Sequence, residues 1–284
     1  METTKQGRKP FLFFILTFAF SWILWLPSIL AGLGVDLSID ATAYTSITVP
    51  IGAFAPLLAA LFLIIKQNGW KGGWKFFKQA FDLKVKPLYL LAAGLIPIII
   101  HLISHFLAPL LGFPVANTLF PAELNVPSIL IAIPYFLLML VIGGGQEEFG
   151  WRGYAQEPLQ KRMGVIPASL LIGFVWGLWH LPLWVMPGDG HSTYPYIAFL
   201  IMTTSISVIY AWLFNASNQK LSTVIIFHAM SNTAAPLLPF LHAKAGIPET
   251  GYWVYAMINL LSALVVGYFI LRSERKIKTQ TRSV

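Results

Sequence analysis

The chain has 284 residues, of which 57% are hydrophobic and only 11% are charged, and its mean hydropathy is +0.71. About a quarter of the residues in soluble proteins are charged, because hydrated side chains must cover the surface, so the composition excludes a soluble globular protein. The absence of cysteine excludes disulfides, thiolate metal sites and a cysteine nucleophile. The composition therefore predicts an integral membrane protein.

Long apolar runs recur along the chain. A helix needs about 20 mostly apolar residues to cross the hydrocarbon core of a bilayer, and runs of that length predict an all-α, polytopic helical bundle of about eight transmembrane helices. The first run is too long for the apolar part of a cleaved signal peptide, so we interpret it as a retained anchor. The predicted spans are approximately residues 11–33, 46–65, 87–111, 126–145, 165–186, 194–214, 221–240 and 252–271.

The basic residues predict how the bundle is inserted. With eight crossings and both termini cytoplasmic, every one of the 19 basic residues except Lys244 falls on the inner side, as expected for cytoplasmic loops. The net charge of +8 then reflects contact with anionic inner-leaflet lipid and does not require nucleic acid as a partner. We predict a multi-pass protein of the cytoplasmic membrane. The predicted outer loops carry acidic residues instead, namely Asp36, Asp40, Glu123, Asp189 and Glu249.

Residues 66–86 combine aromatic side chains such as Trp70 and Trp74 with several lysines. This mixture predicts a short amphipathic helix on the inner membrane surface, which either anchors the chain to lipid or docks a substrate. No internal repeat is visible, so we predict a single membrane-embedded domain over residues 1–284, with a core of motifs at about 126–240.

Ionisable side chains are costly inside a membrane, so each is a candidate for function. Glu147 and Glu148 directly follow three glycines. Arg152 lies four residues after Glu148, which places the two on one helical face as an ion pair. In a helix Glu147 points about 100° away from Glu148, so its carboxylate is predicted to stay free for chemistry. A solvated charge cluster at a cytoplasmic helix end is the alternative.

Two more polar pairs with four-residue spacing lie in later spans. Trp176 and His180 share the fifth span, and His228 and Asn232 share the seventh. The second pair suits hydrogen bonding to a carbonyl oxygen or a water, although hydrogen bonding between helices is the alternative for both pairs. Together with the glutamates, these side chains form a hydrolytic set distributed over three helices.

The three motifs resemble the CPBP family of intramembrane proteases, also called the Abi or CAAX-protease family, which is related to the prenyl-protein endopeptidase that trims lipidated C-termini. The family signature is EExxxR, then FxxxH, then HxxxN or HxxxD, each on a separate membrane helix. The segments Glu147 to Arg152, Trp176 to His180 and His228 to Asn232 match it in order. Trp176 departs from the pattern, because the family usually has phenylalanine there.

The resemblance implies a role for each matched residue. Glu147 would be the general base, His180 would hold the attacking water, and His228 and Asn232 would stabilise the oxyanion. Supporting structural roles fall to Glu148, Arg152 and Trp176.

A metal ion is the alternative to this mechanism. Glu147, His180 and His228 would form a set of two histidines and one glutamate, the ligand count of several catalytic zinc sites, with Glu148 left as the base. The sequence contains no HExxH, and Arg152 would compete for Glu148. We therefore expect metal-free glutamate chemistry without a cofactor, and zinc is the alternative.

The expected function is that of an intramembrane endopeptidase that hydrolyses a peptide bond in a membrane-tethered, for example lipidated, peptide or protein, with a cavity open to the cytoplasm. The alternatives are a non-catalytic immunity factor that binds a toxic peptide, and a transporter. The site can assemble only if the fourth helix continues past Glu147 towards Pro158. If that helix ended near residue 145, Glu147 and His180 would differ in depth by about 22 Å.

Overall fold

The computed structural model describes residues 7–116, 118, 126–239 and 251–282, with side chains described up to residue 274. Lys5, Glu123, Lys244 and Glu249, which the orientation prediction used, lie outside these residues. The described residues form a bundle of α-helices. The helices are α1 (Pro10–Gly32), α2 (Ala41–Gly52), α3 (Ala55–Phe77), α4 (Pro87–Leu110), α5 (Ser128–Ile142), α6 (Glu157–Met163), α7 (Val165–Trp179), α8 (Tyr196–Ala216), α9 (Leu221–Leu237) and α10 (Tyr252–Arg282).

The predicted polytopic bundle is confirmed. In the described part of the chain, seven helical segments are long and apolar enough to cross a membrane. The predicted span at 221–240 corresponds to α9, which has 17 residues and is mostly buried. The chain is therefore a multi-pass integral membrane protein, and its direction of insertion stays a prediction. The seven segments are Pro10–Gly32, Ala41–Phe81, Pro87–Leu110, Ser128–Met163, Val165–Trp184, Tyr196–Ala216 and Tyr252–Glu274.

Helix α8 is at the centre of the bundle and packs against α7 and α10. Gly173 and Gly177 of α7 allow its close contact with α8, because a Cβ atom at Gly173 would lie 2.5 Å from the carbonyl oxygen of Thr203. Small residues four apart bring membrane helices together in this way, since lipid provides no hydrophobic force between them. The contact fixes α7, which carries Trp176 and is capped by His180, against a largely buried helix.

The predicted surface helix at residues 66–86 is partly a packing element. Helix α3 kinks at Gly69, which has a φ of 65°, and Trp70 beyond the kink is 80% exposed. In contrast, Phe76 is buried and Phe77 stacks on Phe149 with ring centroids 5.5 Å apart. One face of this segment therefore supports the chain directly after the two glutamates, and the other face is open to the membrane surface.

Candidate active site

The segment that carries Glu147 and Glu148 is an interrupted helix. Helix α5 ends at Ile142, a short 3-10 turn covers Gly145–Glu147, and a wide π-helical stretch spans Phe149–Gln156 before α6 begins. Together these pieces form one membrane segment from Ser128 to Met163, so the helix does continue past Glu147. Arg8 Nη1 donates to the carbonyl oxygen of Gly153 at 2.6 Å and so satisfies part of the irregular backbone. Stretches of π-helix are rare and often occur at functional sites.

Gly144 makes this interruption possible. Its φ is 114°, a backbone conformation that glycine adopts without steric cost. A Cβ atom at this position would lie 2.3 Å from His228 Nε2. Glycine is thus required both for the turn and for the close approach of His228 from α9.

The predicted ion pair between Glu148 and Arg152 is present, and both side chains are fully buried. Arg152 Nη1 lies 3.1 Å from each carboxylate oxygen of Glu148, and Arg152 Nη2 donates to Ser207 Oγ at 2.8 Å. The guanidinium also lies over the ring of Tyr210, 4.0 Å from its centroid. The charge pattern counted Arg152 among the basic residues of the inner side, and the π-helical stretch turns its side chain into the bundle.

Glu147 has different surroundings from Glu148. Its Oε2 atom accepts hydrogen bonds from two indole nitrogens, Trp176 Nε1 at 2.8 Å and Trp151 Nε1 at 3.2 Å. Its Oε1 atom has no hydrogen-bond partner within the described ranges, and the residue lines a cavity. The predicted free carboxylate is therefore free at one oxygen only.

The two histidines and the asparagine reach the same cavity from α7 and α9. His180 Nδ1 lies 2.9 Å from the carbonyl oxygen of Trp176, which fixes the proton on Nδ1 because a carbonyl can only accept. His228 Nδ1 lies 2.7 Å from Glu148 Oε1, so its Nε2 is on the side of Gly144. Asn232 Nδ2 donates to the carbonyl oxygen of Gly143. The structure therefore brings five of the matched side chains around one cavity, namely Glu147, Trp176, His180, His228 and Asn232, while Glu148 and Arg152 are buried beside it.

The cavity has a volume of about 800 Å³ and lies in one half of the bundle. Its lining includes Gly190, His191 and Thr193 of the loop between α7 and α8. The basic end, marked by Arg8 and Lys220, contributes no described residue to the lining. The charge pattern places the α7–α8 loop outside, so the cavity lining includes residues from the end of the bundle that is predicted to face outward. The expected cytoplasmic opening stays a prediction.

The loop at this end carries a paired acid and histidine. Asp189 Oδ1 lies 2.6 Å from His191 Nδ1 and also accepts from the backbone N–H of His191. Burial alone would raise the pKa of Asp189, but the hydrogen bonds from His191 hold it below its usual value. Asp189 is therefore ionised at neutral pH and fixes the His191 ring through its Nδ1 atom.

The alternative set of metal ligands consists of Glu147, His180 and His228. Across residues 7–116, 118, 126–239 and 251–274, no three histidine, aspartate or glutamate side chains are grouped closely enough to hold a metal ion. Glu147 Oε2 accepts hydrogen bonds from two N–H donors, and a metal ion bound to this oxygen would have to displace them. Glu147, His180 and His228 share a cavity, but they do not form a prearranged ligand set.

Some residues of the site were not found from the sequence. Trp151 lies four residues after Glu147, the same spacing that revealed the Glu148–Arg152 pair, so this hydrogen bond had a detectable signal. Ser207 and Tyr210 lie in an apolar helix without a motif, and only the packing of α8 against the π-helical stretch reveals them. The role of Gly144 likewise depends on where α9 approaches.

The chain was compared with known proteins. A family model described as "Type II CAAX prenyl endopeptidase Rce1-like" matches residues 129–234, which include all three motifs. CAAX prenyl protease 2 of Methanococcus maripaludis is 28% identical over 271 residues, covering 92% of this chain and 94% of that protein.

Two staphylococcal proteins are also similar. Lysostaphin resistance protein A of Staphylococcus epidermidis is 28% identical over 262 residues, covering 90% of this chain and 59% of that protein. The protein of the same name from Staphylococcus haemolyticus is 24% identical over 268 residues, covering 93% of this chain and 64% of that protein. The chain thus spans less than two thirds of either resistance protein. The family resemblance carried by the three motifs is confirmed, because both the family model and the archaeal relative show that the chain is similar to CAAX prenyl proteases.

Proposed function

We propose that the chain is an intramembrane endopeptidase in which Glu147 activates a water molecule for attack on a peptide bond. The observation that supports this most is the contrast between two adjacent buried carboxylates. Glu148 is neutralised by Arg152 and bonded to His228, whereas Glu147 presents an unpartnered oxygen to the cavity. A carboxylate held within reach of a bound water is suited to general base catalysis.

The reaction follows from these positions. Glu147 Oε1 accepts a proton from the water as the water oxygen attacks the carbonyl carbon, which gives a tetrahedral intermediate. Glu147 then returns the proton to the amide nitrogen as the C–N bond breaks. His180 is protonated on Nδ1 by its bond to the Trp176 carbonyl, so its Nε2 lone pair can accept a hydrogen bond from the water and orient it.

His228 and Asn232 are proposed to stabilise the negative oxygen of the intermediate. Donation from His228 Nε2 requires a proton on both ring nitrogens, and the carboxylate of Glu148 at Nδ1 offsets the resulting positive charge. Asn232 uses one N–H on the carbonyl oxygen of Gly143 and has a second N–H to give. Preorganised donors aimed at a developing oxyanion contribute about 3–4 kcal/mol each.

The cavity also favours a class of substrate. Its described lining contains no lysine or arginine, and aromatic and aliphatic side chains dominate it. Helices α2 and α5 both contribute to the lining through Val49 and Met139, and both expose apolar side chains on their outer faces. We infer that the substrate is an uncharged, apolar segment of a peptide or protein held at the membrane.

The proposal is tested by incubating purified protein with a panel of lipidated and transmembrane peptides and comparing wild type with Glu147→Gln. An amide cannot accept the water's proton, so we expect turnover to fall by about 10²–10⁴-fold with an unchanged melting temperature. Glu157→Gln is the matched control, because Glu157 is also buried but does not line the cavity. Near-normal turnover by Glu147→Gln would contradict the assignment.

A second measurement addresses the metal. We expect strong chelators to leave the enzyme active, and elemental analysis to find much less than one metal ion per chain. The metal content of His180→Ala and His228→Ala is measured beside that of wild type. A catalytic ion would be lost in both variants, whereas binding of adventitious metal does not depend on both histidines. Zinc at one per chain that is lost in both variants, with activity restored by zinc after chelation, would refute the metal-free mechanism and leave the protease assignment intact.

The names of the staphylococcal relatives support a second candidate function, resistance to lysostaphin. Expression of wild type and Glu147→Gln in lysostaphin-sensitive cells separates two forms of this function. Protection by wild type alone would mean that resistance depends on proteolysis, whereas equal protection by both would indicate a non-catalytic role.

A further inference from the structure

We propose that Trp151 and Trp176 are positioning residues that hold Oε2 of Glu147 with their two indole N–H groups, so that Oε1 alone receives the proton of the water. This inference rests on the proposed function of Glu147 as the base. Trp151 matches none of the motif positions, so the sequence signature gives it no role. Trp176 would act through a direct hydrogen bond to the base and not only through the packing of its ring.

The two donors come from different elements. Trp151 lies in the π-helical stretch and Trp176 in α7, and their Nε1 atoms lie 3.2 Å and 2.8 Å from the same oxygen. Both indoles are at most 5% exposed, so water does not compete for these hydrogen bonds. The carboxylate is thus clamped between two parts of the fold that packing fixes independently.

The clamp, formed by the indoles of Trp151 and Trp176, determines which oxygen of Glu147 faces the cavity and can react. Rotating the carboxylate away from this orientation would break both indole hydrogen bonds, and a half turn only exchanges two equivalent oxygens and restores the same arrangement. Hydrogen bonds to a charged group are among the stronger ones in proteins, so intermediate orientations are disfavoured. Oε1 is therefore held in one position towards the cavity, which is the preorganisation that proton transfer requires.

The contribution of the Trp176 N–H can be tested separately from that of the aromatic ring. The ring lies over the Arg152 guanidinium, 5.5 Å from Cζ to centroid, and meets His228 edge-on at 5.3 Å. Phenylalanine, the residue that the family signature carries at this position, has an aromatic ring but no N–H donor. Trp176→Phe therefore removes the proposed hydrogen bond and keeps an aromatic side chain at this position.

The activity test compares Trp176→Phe, Trp151→Phe and the double variant with Trp22→Phe. Trp22 is the matched control, because its Nε1 donates to the carbonyl oxygen of Trp179 at 3.0 Å and it does not line the cavity. We expect kcat to fall about tenfold or more in each site variant and further in the double variant, with KM within about twofold of wild type. Trp22→Phe should retain wild-type kcat. Site variants with wild-type kcat, or an equal loss in Trp22→Phe, would overturn the proposal.

A spectroscopic test does not depend on activity. The chain has 10 tryptophans, so indole ¹⁵N–¹H signals can be assigned by single substitutions in the detergent-solubilised full chain. Glu147→Ala should shift the indole signals of Trp151 and Trp176 upfield and leave that of Trp22 in place. Unmoved signals would overturn the clamp. If the signals move but no peptide is cleaved, the clamp stands and the endopeptidase proposal fails, so the two failures are distinguishable.

Discussion

The two ends of the bundle are built differently. At the basic end, Phe76 and Phe149 pack together, Arg8 bonds to the carbonyl oxygen of Gly153, and Lys220 pairs with Asp82 at the start of α9. The other end holds a cavity of about 800 Å³. The interrupted helix lies at the boundary, with Glu148 turned towards packed protein and Glu147 towards the cavity.

This difference shows how one short motif can serve two purposes. Glu148 is surrounded by Arg152 and His228, so its charge is compensated and its contribution is to stability and orientation. Glu147 keeps one oxygen for a reaction. Substitutions on the packed side are therefore expected to affect folding, and substitutions on the cavity side to affect turnover.

The largest effect on stability is expected from Arg152→Ala. This change leaves the Glu148 carboxylate buried without its arginine, and breaking a buried ion pair in this way costs about 3–5 kcal/mol. The measurement is the melting temperature and the yield of folded protein in detergent. A variant with full stability and no activity would make Arg152 a substrate ligand instead.

A much smaller effect is expected from Lys161→Ala, which is the control for Arg152→Ala. Glu157 and Lys161 have the same four-residue spacing and the same 3.1 Å separation, but the lysine side chain is 60% exposed. Exposed helical pairs of this kind contribute about 0.3–0.5 kcal/mol, so the melting temperature should change little. An equal loss in both variants would show that burial does not distinguish the two ion pairs.

The smallest effect on stability is expected from two cysteine substitutions that serve to test which end of the bundle faces outward. The chain has no cysteine, so Ser192→Cys in the α7–α8 loop and Lys75→Cys at the basic end each introduce a single exposed thiol. The positive-inside pattern predicts that a membrane-impermeant maleimide labels only Ser192→Cys in intact cells. The reverse result would overturn the predicted orientation and place the loop that helps to line the cavity on the cytoplasmic side.

Much of the site was predictable because its signals are local. The spacing of Glu148 and Arg152 predicted their ion pair, and the two histidines stood out because ionisable groups are costly in a membrane. The hydropathy of residues 126–145 located the start of the fourth span but not its end. Hydropathy cannot detect a span whose polar residues satisfy one another inside the protein.

The sequence by itself determined the membrane class, the helical bundle and the set of polar side chains, since these follow from composition, run length and helical spacing. Only the tertiary structure decided which carboxylate oxygen is free, that the indole of Trp176 bonds to Glu147, and that Gly144 admits His228. These features depend on side chains 29 or more residues apart, brought together by close contacts between helices. No local pattern encodes such contacts, because they arise from the packing of α7 and α9 against the interrupted helix.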